Sequence, residues 1–319
     1  MSLKRALLVG IDQYDKFSSL KGCVNDVMAL LPLMSRNDDD SPNFSCQALT
    51  SDSTCVSRDA LLREVDRLLA PGADIAVLYF AGHGGETARD VTLVVQDGTA
   101  RTPGVDFSQL IGMIQESEVR EIIVILDCCF SGGAAGVPQL GGPASVLRPG
   151  VTIMTASRAD QASAETVAGR GVFSTYLEGG LDGGAADVVG KVTLAGLYAY
   201  LSESFGAWDQ RPTFKTNVDR LEELRRCNPA VPLEELRELA VLFPAPDYEF
   251  PLDRSFEPTE EPRNADNERV FGILQHCRAA KLVEPVIGEH LYFAAMASQP
   301  CRLTPLGRHY RNLAQQDRL

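Results

Sequence analysis

Two apolar runs dominate the pattern of the chain, IAVLYFA at Ile75–Ala81 and EIIVILD at Glu121–Asp127. A strand with one wet face alternates apolar and polar positions, so runs this continuous predict central strands of a parallel sheet, buried on both faces. Weaker runs predict further strands over Ala6–Ile11, Ser45–Thr50, Val151–Ala156 and Pro212–Thr216, with a surface hairpin around Val91–Gln96. Between them, apolar residues recur at helical spacing over Val24–Met34, Arg58–Leu69, Phe107–Ser117, Phe173–Leu181 and Thr193–Phe205, with Ser57 and Thr193 in N-cap positions. The alternation predicts an α/β unit built on a mostly parallel six-stranded sheet with helices on both faces.

Two stretches lack any period. Gly132–Gly150 is rich in Gly, Pro and Ala where a crossover between central strands is expected, and reads as a long mobile loop. Pro244–Pro262 carries five prolines and several acids, and reads as a linker. The expected organisation is therefore a first domain over residues 1–243, closed by one or two amphipathic helices in Asp219–Phe243, a Pro-rich linker over 244–262, and a small domain over 263–319. In that last part, a helix over Asn267–Leu282, short strands within Val283–Ser298 and Cys301–Thr304, and a helix over Leu306–Gln316 suggest a winged-helix-like docking unit.

The 319 residues suffice for both units, and 45% apolar with 23% charged residues is the composition of a folded chain. A net charge of −13 repels nucleic acid and anionic membranes, which argues against both as partners. No apolar run approaches the ~20 residues that span a bilayer, and the short run after Lys4 and Arg5 is not a signal-peptide core. A cytoplasmic location is expected. The eight cysteines show no paired metal-ligand spacing, so reduced thiols and no metal or other cofactor are expected.

Only four histidines are present, and one of them, His83, lies in YFAGHGG just beyond the first central run. Cys129 lies in ILDCCFSGG just beyond the second. Active sites of open α/β sheets are built at the carboxyl edge of the strands, where these two residues can meet. A free thiol with a pKa near ~8.5 is mostly protonated at neutral pH, and a neighbouring imidazolium stabilises the attacking thiolate. The imidazole can then protonate the leaving amine and activate water. Gly84 and the amide of Cys129 are the natural oxyanion donors.

These segments resemble the two active-site motifs of caspase-like cysteine peptidases, especially metacaspases: aromatic-x-G-H-G around His83 and D-x-C-x-S-G around Cys129, with Cys128 in a variable position. Leu20, Gly22, Cys23, Asn25 and Asp26 are similar to the metacaspase L-x-G-C-x-N-D segment, and Gly171-Val172-Phe173-Ser174 to the start of the small-subunit helix. The resemblance covers roughly residues 1–218 and implies a caspase-like fold.

It also implies a pocket for the side chain before the scissile bond lined by Asp26 and Asp127, hence cleavage of protein substrates after Arg, and less readily Lys, with Asp rejected. Many metacaspases bind activating calcium through clustered acids; the counterparts here, Asp97 and Asp106, are isolated, so no calcium requirement is expected. The resemblance further implies control by cutting the loop between the two subunit-like parts of the peptidase domain, by the enzyme itself or an upstream protease, which makes Arg148 and Arg170 candidate processing sites. Some bacterial relatives with an appended domain serve in signalling or antiviral defence, often switched on by another protease or sensor. Two rivals stand beside this reading: a catalytically weak caspase-fold scaffold, and a DNA-binding regulator acting through the C-terminal domain.

Overall fold

The computed structural model describes residues 3–86, 90–130, 147–156, 169–206 and 212–319, and of Glu86, Cys129 and Phe130 the main chain alone. The chain divides into two compact units, residues 1–186 with 192–227 and residues 187–191 with 228–319.

The first unit includes β1 (Lys4–Gly10), α1 (Cys23–Ser35), β2 (Ser45–Thr50), α2 (Arg58–Leu69), β3 (Ile75–Glu86), β4 (Val91–Val94), β5 (Gly104–Asp106), α3 (Phe107–Glu116), β6 (Glu121–Phe130), β7 (Val151–Thr155), α4 (Val172–Gly179), α5 (Leu194–Ser204) and β8 (Thr213–Asn217). The main sheet runs β2-β1-β3-β6-β7-β8, parallel except for β8, and β4 and β5 extend it antiparallel from the far end of β3.

Alternate residues of each central strand feed opposite cores, which is why the sequence runs read as continuously apolar. On one face Leu78, Phe80, Val124 and Leu126 pack with Leu61, Val65 and Leu68 of α2 and Leu110 and Ile114 of α3. On the other, Val77, Tyr79, Ile123 and Ile125 pack with Val27, Leu30 and Met34 of α1, Leu177 of α4 and Leu197 and Leu201 of α5. The two expected N-caps are made: the Ala60 N–H donates to Ser57 Oγ at 3.1 Å and the Gly196 N–H to Thr193 Oγ1 at 3.2 Å.

Strands β3 and β6 outrun their apolar segments. Both were expected to end at Ala81 and Asp127, yet they continue to Glu86 and Phe130. The glycine-rich tail of β3 stays extended because it is paired on both sides, Gly84 standing opposite Phe130 of β6 and Leu93 of β4. Of the expected loop Gly132–Gly150, residues 132–146 lie outside the described residues.

The second unit contains α6 (Leu233–Leu242), β9 (Glu249–Phe250), α7 (Ala265–Ala279), β10 (Val283–Pro285), α8 (Leu291–Met296), β11 (Cys301–Leu303) and α9 (Pro305–Gln315), with a three-stranded antiparallel sheet in the order β9-β11-β10.

Three expectations are corrected here. The first domain does not extend to residue 243: Glu223–Arg226 is a strand rather than helix, and Leu236, Leu239 and Phe243 belong to the core of the second unit. The stretch 244–262 is not a linker, because it supplies β9 and buries Leu252 and Phe256 beside Phe271; its prolines break the periodic pattern without excluding those apolar side chains from a core. Within Val283–Ser298, Leu291–Met296 is helical, and Leu291, Ala294 and Ala295 bury at i, i+3 and i+4, the spacing of a helix and not of a strand.

Candidate active site

The register of β3 on β6 pairs His83 with Cys129 and Ala81 with Asp127. Neighbouring strands lie ~4.8 Å apart, so the main chain at Cys129 stands directly across from that at His83 although 45 residues separate them in sequence. Position 129 shares the strand parity of Ile123, Ile125 and Asp127, whereas Cys128 is 3% exposed in the opposite core among α2 and α3 side chains. Gly84, the residue after His83, carries the expected oxyanion amide one step further along the same edge.

The loop after β1 holds the histidine in place. The main-chain N–H of His83 donates to the Tyr14 hydroxyl at 2.8 Å, and the two rings lie 4.7 Å apart between centroids. Gly82 makes this contact possible, since a Cβ there would come within 2.7 Å of the Tyr14 oxygen. Imidazole Nε2 lies 2.7 Å from the carbonyl oxygen of Ser18. A carbonyl can only accept, so Nε2 carries the hydrogen and Nδ1 is the nitrogen with the lone pair. That tautomer is the one a base needs when its other nitrogen is fixed by a main-chain acceptor.

The same loop positions α1. Asp12 Oδ1 accepts the N–H groups of Gly22 at 3.0 Å and Cys23 at 2.9 Å, occupying donors that a helix start leaves orphaned. Helix α1 then delivers Asp26, 2% exposed, to the face of the sheet that bears Asp127. A Cβ on Gly171 would lie 3.0 Å from Asp127 Oδ2 and 3.2 Å from Asp26 Oδ2, so both carboxylates converge on one point and the chain passes close between them.

Each carboxylate has partners from the start of α4. Asp26 accepts the Nε–H of Arg170 at 2.8 Å and the Gly171 N–H at 3.2 Å. Burial pushes its carboxyl up from the ordinary value, and these two donors oppose the rise. Asp127 accepts the Ser174 hydroxyl, whose oxygen in turn accepts from Tyr79 at 2.6 Å. Burial raises the Asp127 pKa from 3.8 to about 6, the Ser174 hydrogen bond pulling down and the Asp26 charge pushing up. Cys23 sits against these acids, and burial together with the Asp12 charge holds its thiol far above the ordinary range, so it stays protonated.

The structure thus brings His83, Gly84, the Cys129 main chain, Asp26 and Asp127 to one edge of the sheet. Arg170 lies beside Asp26, whereas Arg148 lies elsewhere, its guanidinium donating to the carbonyls of Ile114, Val119 and Pro149 at 2.9, 2.6 and 2.8 Å. Among the described residues, no group of three or more His, Cys, Asp or Glu side chains could hold a metal ion. Asp97 accepts the Arg58 N–H at 3.1 Å and Asp106 the Thr92 hydroxyl at 2.7 Å.

Sequence reasoning missed Tyr14, Ser18, Asp12 and Glu178. Of these, only Asp12 carried a signal, a polar residue directly after a buried strand and ahead of a helix start.

A family model described as the caspase domain matches residues 3–218. The chain belongs to the caspase-domain family. Among curated relatives, it is 30% identical over 186 residues to metacaspase-1 of Eremothecium gossypii, covering 52% of this chain and 40% of that one. It is 28% identical over 212 residues to metacaspase-1 of Botryotinia fuckeliana, covering 59% and 46%. Over 147 residues it is 30% identical to metacaspase-6 of Arabidopsis thaliana, covering 41% and 38%. The chain therefore spans less than half the length of these relatives. Among solved structures, caspase-1 from Spodoptera frugiperda superposes with a TM-score of 0.50 at 10% identity, covering 70% of this chain and 92% of that one, so the fold is caspase-like. No described helix is long and apolar enough to cross a membrane.

Proposed function

We propose that this protein is a cysteine endopeptidase that cleaves protein substrates after basic residues, Arg in preference to Lys, through a Cys129–His83 dyad. The observation that carries the reading is the register opposing His83 and Cys129 across β3 and β6. Nδ1 of His83 takes the Cys129 thiol proton, the thiolate attacks the scissile carbonyl carbon, and the resulting oxyanion is taken by the amides of Gly84 and Cys129. As the C–N bond breaks, His83 gives its Nδ1 proton to the departing amine and leaves a thioester. His83 then takes a proton from water, the hydroxide attacks the thioester, and the thiolate departs to restore the enzyme.

The converging carboxylates of Asp26 and Asp127 support the basic preference, since a guanidinium or ammonium is drawn to them and an aspartate repelled. Processing after Arg148 or Arg170, calcium independence, and a role in a bacterial defence or signalling cascade in the cytoplasm complete the proposal. Both arginines are tied into local hydrogen bonds, so cleavage there follows their release. The second unit, with its three short strands and four helices among the described residues, is read as winged-helix-like and as a protein-docking module.

The test is hydrolysis of fluorogenic peptides ending in Arg, Lys or Asp by wild type and Cys129→Ala, with and without limited trypsin treatment. Hydrolysis of Arg peptides, weaker on Lys, absent on Asp and lost in Cys129→Ala, supports the reading. Preference for Asp overturns the specificity, and activity that survives Cys129→Ala overturns the mechanism.

A further inference from the structure

The two acids assigned to substrate recognition are not waiting unpaired. Arg170, its side chain 18% exposed, donates through Nε to Asp26 and through a terminal nitrogen to Glu178, eight residues further along the chain in α4. Its main chain is wedged in the same place: Gly22 leaves room for the carbonyl of Gly169, which a Cβ would approach to 2.9 Å, and Gly171 passes between the carboxylates. Gly169, the residue before Arg170, takes a φ of +69°, the left-handed conformation that glycine allows.

We infer that Arg170 is the resident counter-ion of the acidic pocket, holding on Asp26 the position that a substrate arginine would take, so that a basic side chain enters by exchange with it. The inference rests on the basic specificity proposed above and adds the residue that sets its strength. Two carboxylates close together in a buried site attract a cation strongly, and a guanidinium already bonded to one of them cancels much of that attraction. Arg170 therefore weakens capture of every basic side chain. It penalises Lys more than Arg, because an ammonium is a point charge while a planar guanidinium matches the carboxylate geometry that Arg170 vacates.

This role is distinct from cleavage after Arg170. The Gly171 N–H is bonded to Asp26, and its carbonyl accepts from the Thr175 N–H at 2.9 Å and the Thr175 hydroxyl at 2.8 Å. While Arg170 holds this place, the Arg170–Gly171 bond is folded into a helix start, so processing there would first require its release.

The probe is agmatine, an arginine side chain without a carboxyl, titrated into Cys129→Ala protein at pH 8, with Arg170 intact or replaced as Arg170→Gln. Agmatine is expected to bind roughly tenfold more tightly to the Arg170→Gln protein, the scale of one lost charge-assisted contact. In active protein, KM for an Arg peptide falls in parallel, and the ratio of KM for Lys to KM for Arg peptides shrinks. Unchanged or weaker agmatine binding with normal melting overturns the inference. Should Arg170→Gln fail to fold, the Nε–H resonance of Arg170 is followed in the Cys129→Ala protein, assigned with Arg170→Lys. A shift at saturating agmatine supports exchange, and a fixed resonance overturns it. If wild type shows no preference for basic peptides, the specificity reading itself has failed; if the preference stands and agmatine ignores Arg170, only the counter-ion role has.

Discussion

Tyr14 accepts the main-chain N–H of His83 through its hydroxyl and lays its ring against the imidazole, so one side chain fixes both the backbone and the ring of that histidine. The phenol is held neutral, burial pushing its pKa upward. Tyr14→Phe keeps the ring and removes the acceptor, leaving a part-buried N–H without its partner at a cost of ~1–3 kcal/mol. The expected result is a melting temperature lower by several degrees and a reduced kcat, with KM for an Arg peptide moving less. A variant with wild-type kcat would show that the hydroxyl does not position the histidine.

Much of this site could be read in the sequence because its signals were local. The continuous apolar runs predicted β3 and β6, and the reactive residues just beyond each were bound to share one edge. The contacts that tune the site were not legible, because they join positions with no periodic relation. Nothing in DQYDKFSS announces that Tyr14 reaches back to His83 and Ser18 to its ring, since both depend on how an irregular loop returns over the sheet. Ser174 enters the sequence reading only as the last residue of a motif and Glu178 as an ordinary residue of an amphipathic helix, and their partners come from two strands, β6 and β3, and from Arg170 ahead of the helix. The start of the second unit is illegible for another reason: prolines interrupt the periodic pattern that marks a packed segment, while the few apolar residues between them, Leu252 and Phe256 among them, decide the packing.

Asp127 should make binding of a cation beside it depend on pH. Its pKa is raised from 3.8 to about 6, so the native state holds a proton that the unfolded chain has lost between those values. This group therefore lowers stability as pH rises through that window, and the penalty stays constant above it. Only the ionised form attracts a cation. Agmatine binding to Cys129→Ala protein should weaken as pH falls through about 6, and Asp127→Asn should abolish that dependence while binding less at pH 8. Flat binding between pH values on either side of this midpoint would remove Asp127 from the recognition of charge.

Ser174 sets where that transition falls. Its hydroxyl donates to Asp127, which pulls the carboxyl pKa down, and its oxygen accepts from Tyr79, whose phenol is wholly enclosed. Ser174→Ala removes both bonds at once. The midpoint of agmatine binding should move above about 6, and the protein should lose stability because the Tyr79 hydroxyl is left buried without its partner. A midpoint that stays or falls would show that another donor replaces Ser174.

Hydrolysis of an Arg peptide should be retained in full in excess chelator. Asp97 and Asp106 each serve a separate local bond, and a calcium site needs ~6–8 oxygens converging on one point. Strict dependence on added calcium would require a ligand set including residues beyond those described.

Limited proteolysis distinguishes a linker from a packed segment at Pro244–Pro262. Arg254 lies in a short 3-10 turn between Leu252 and Phe256, both buried in the core of the second unit, and Asp253 caps that turn by accepting the Ser255 N–H at 2.8 Å. Within this unit the Phe243 carbonyl accepts from Arg311 Nε at 2.9 Å, fastening the segment that precedes it. A protease needs several residues in extended form, so trypsin should leave Arg254 uncut while the chain is folded. Phe243→Ala removes a side chain that is 0% exposed and should cost the second unit ~3–5 kcal/mol. Cleavage at Arg254, followed by mass spectrometry, should then appear early in the digest. Early cleavage already in wild type would return the stretch to the status of a linker, whereas protection lost only in the variant shows that Arg254 is shielded by the core that Phe243 helps to hold.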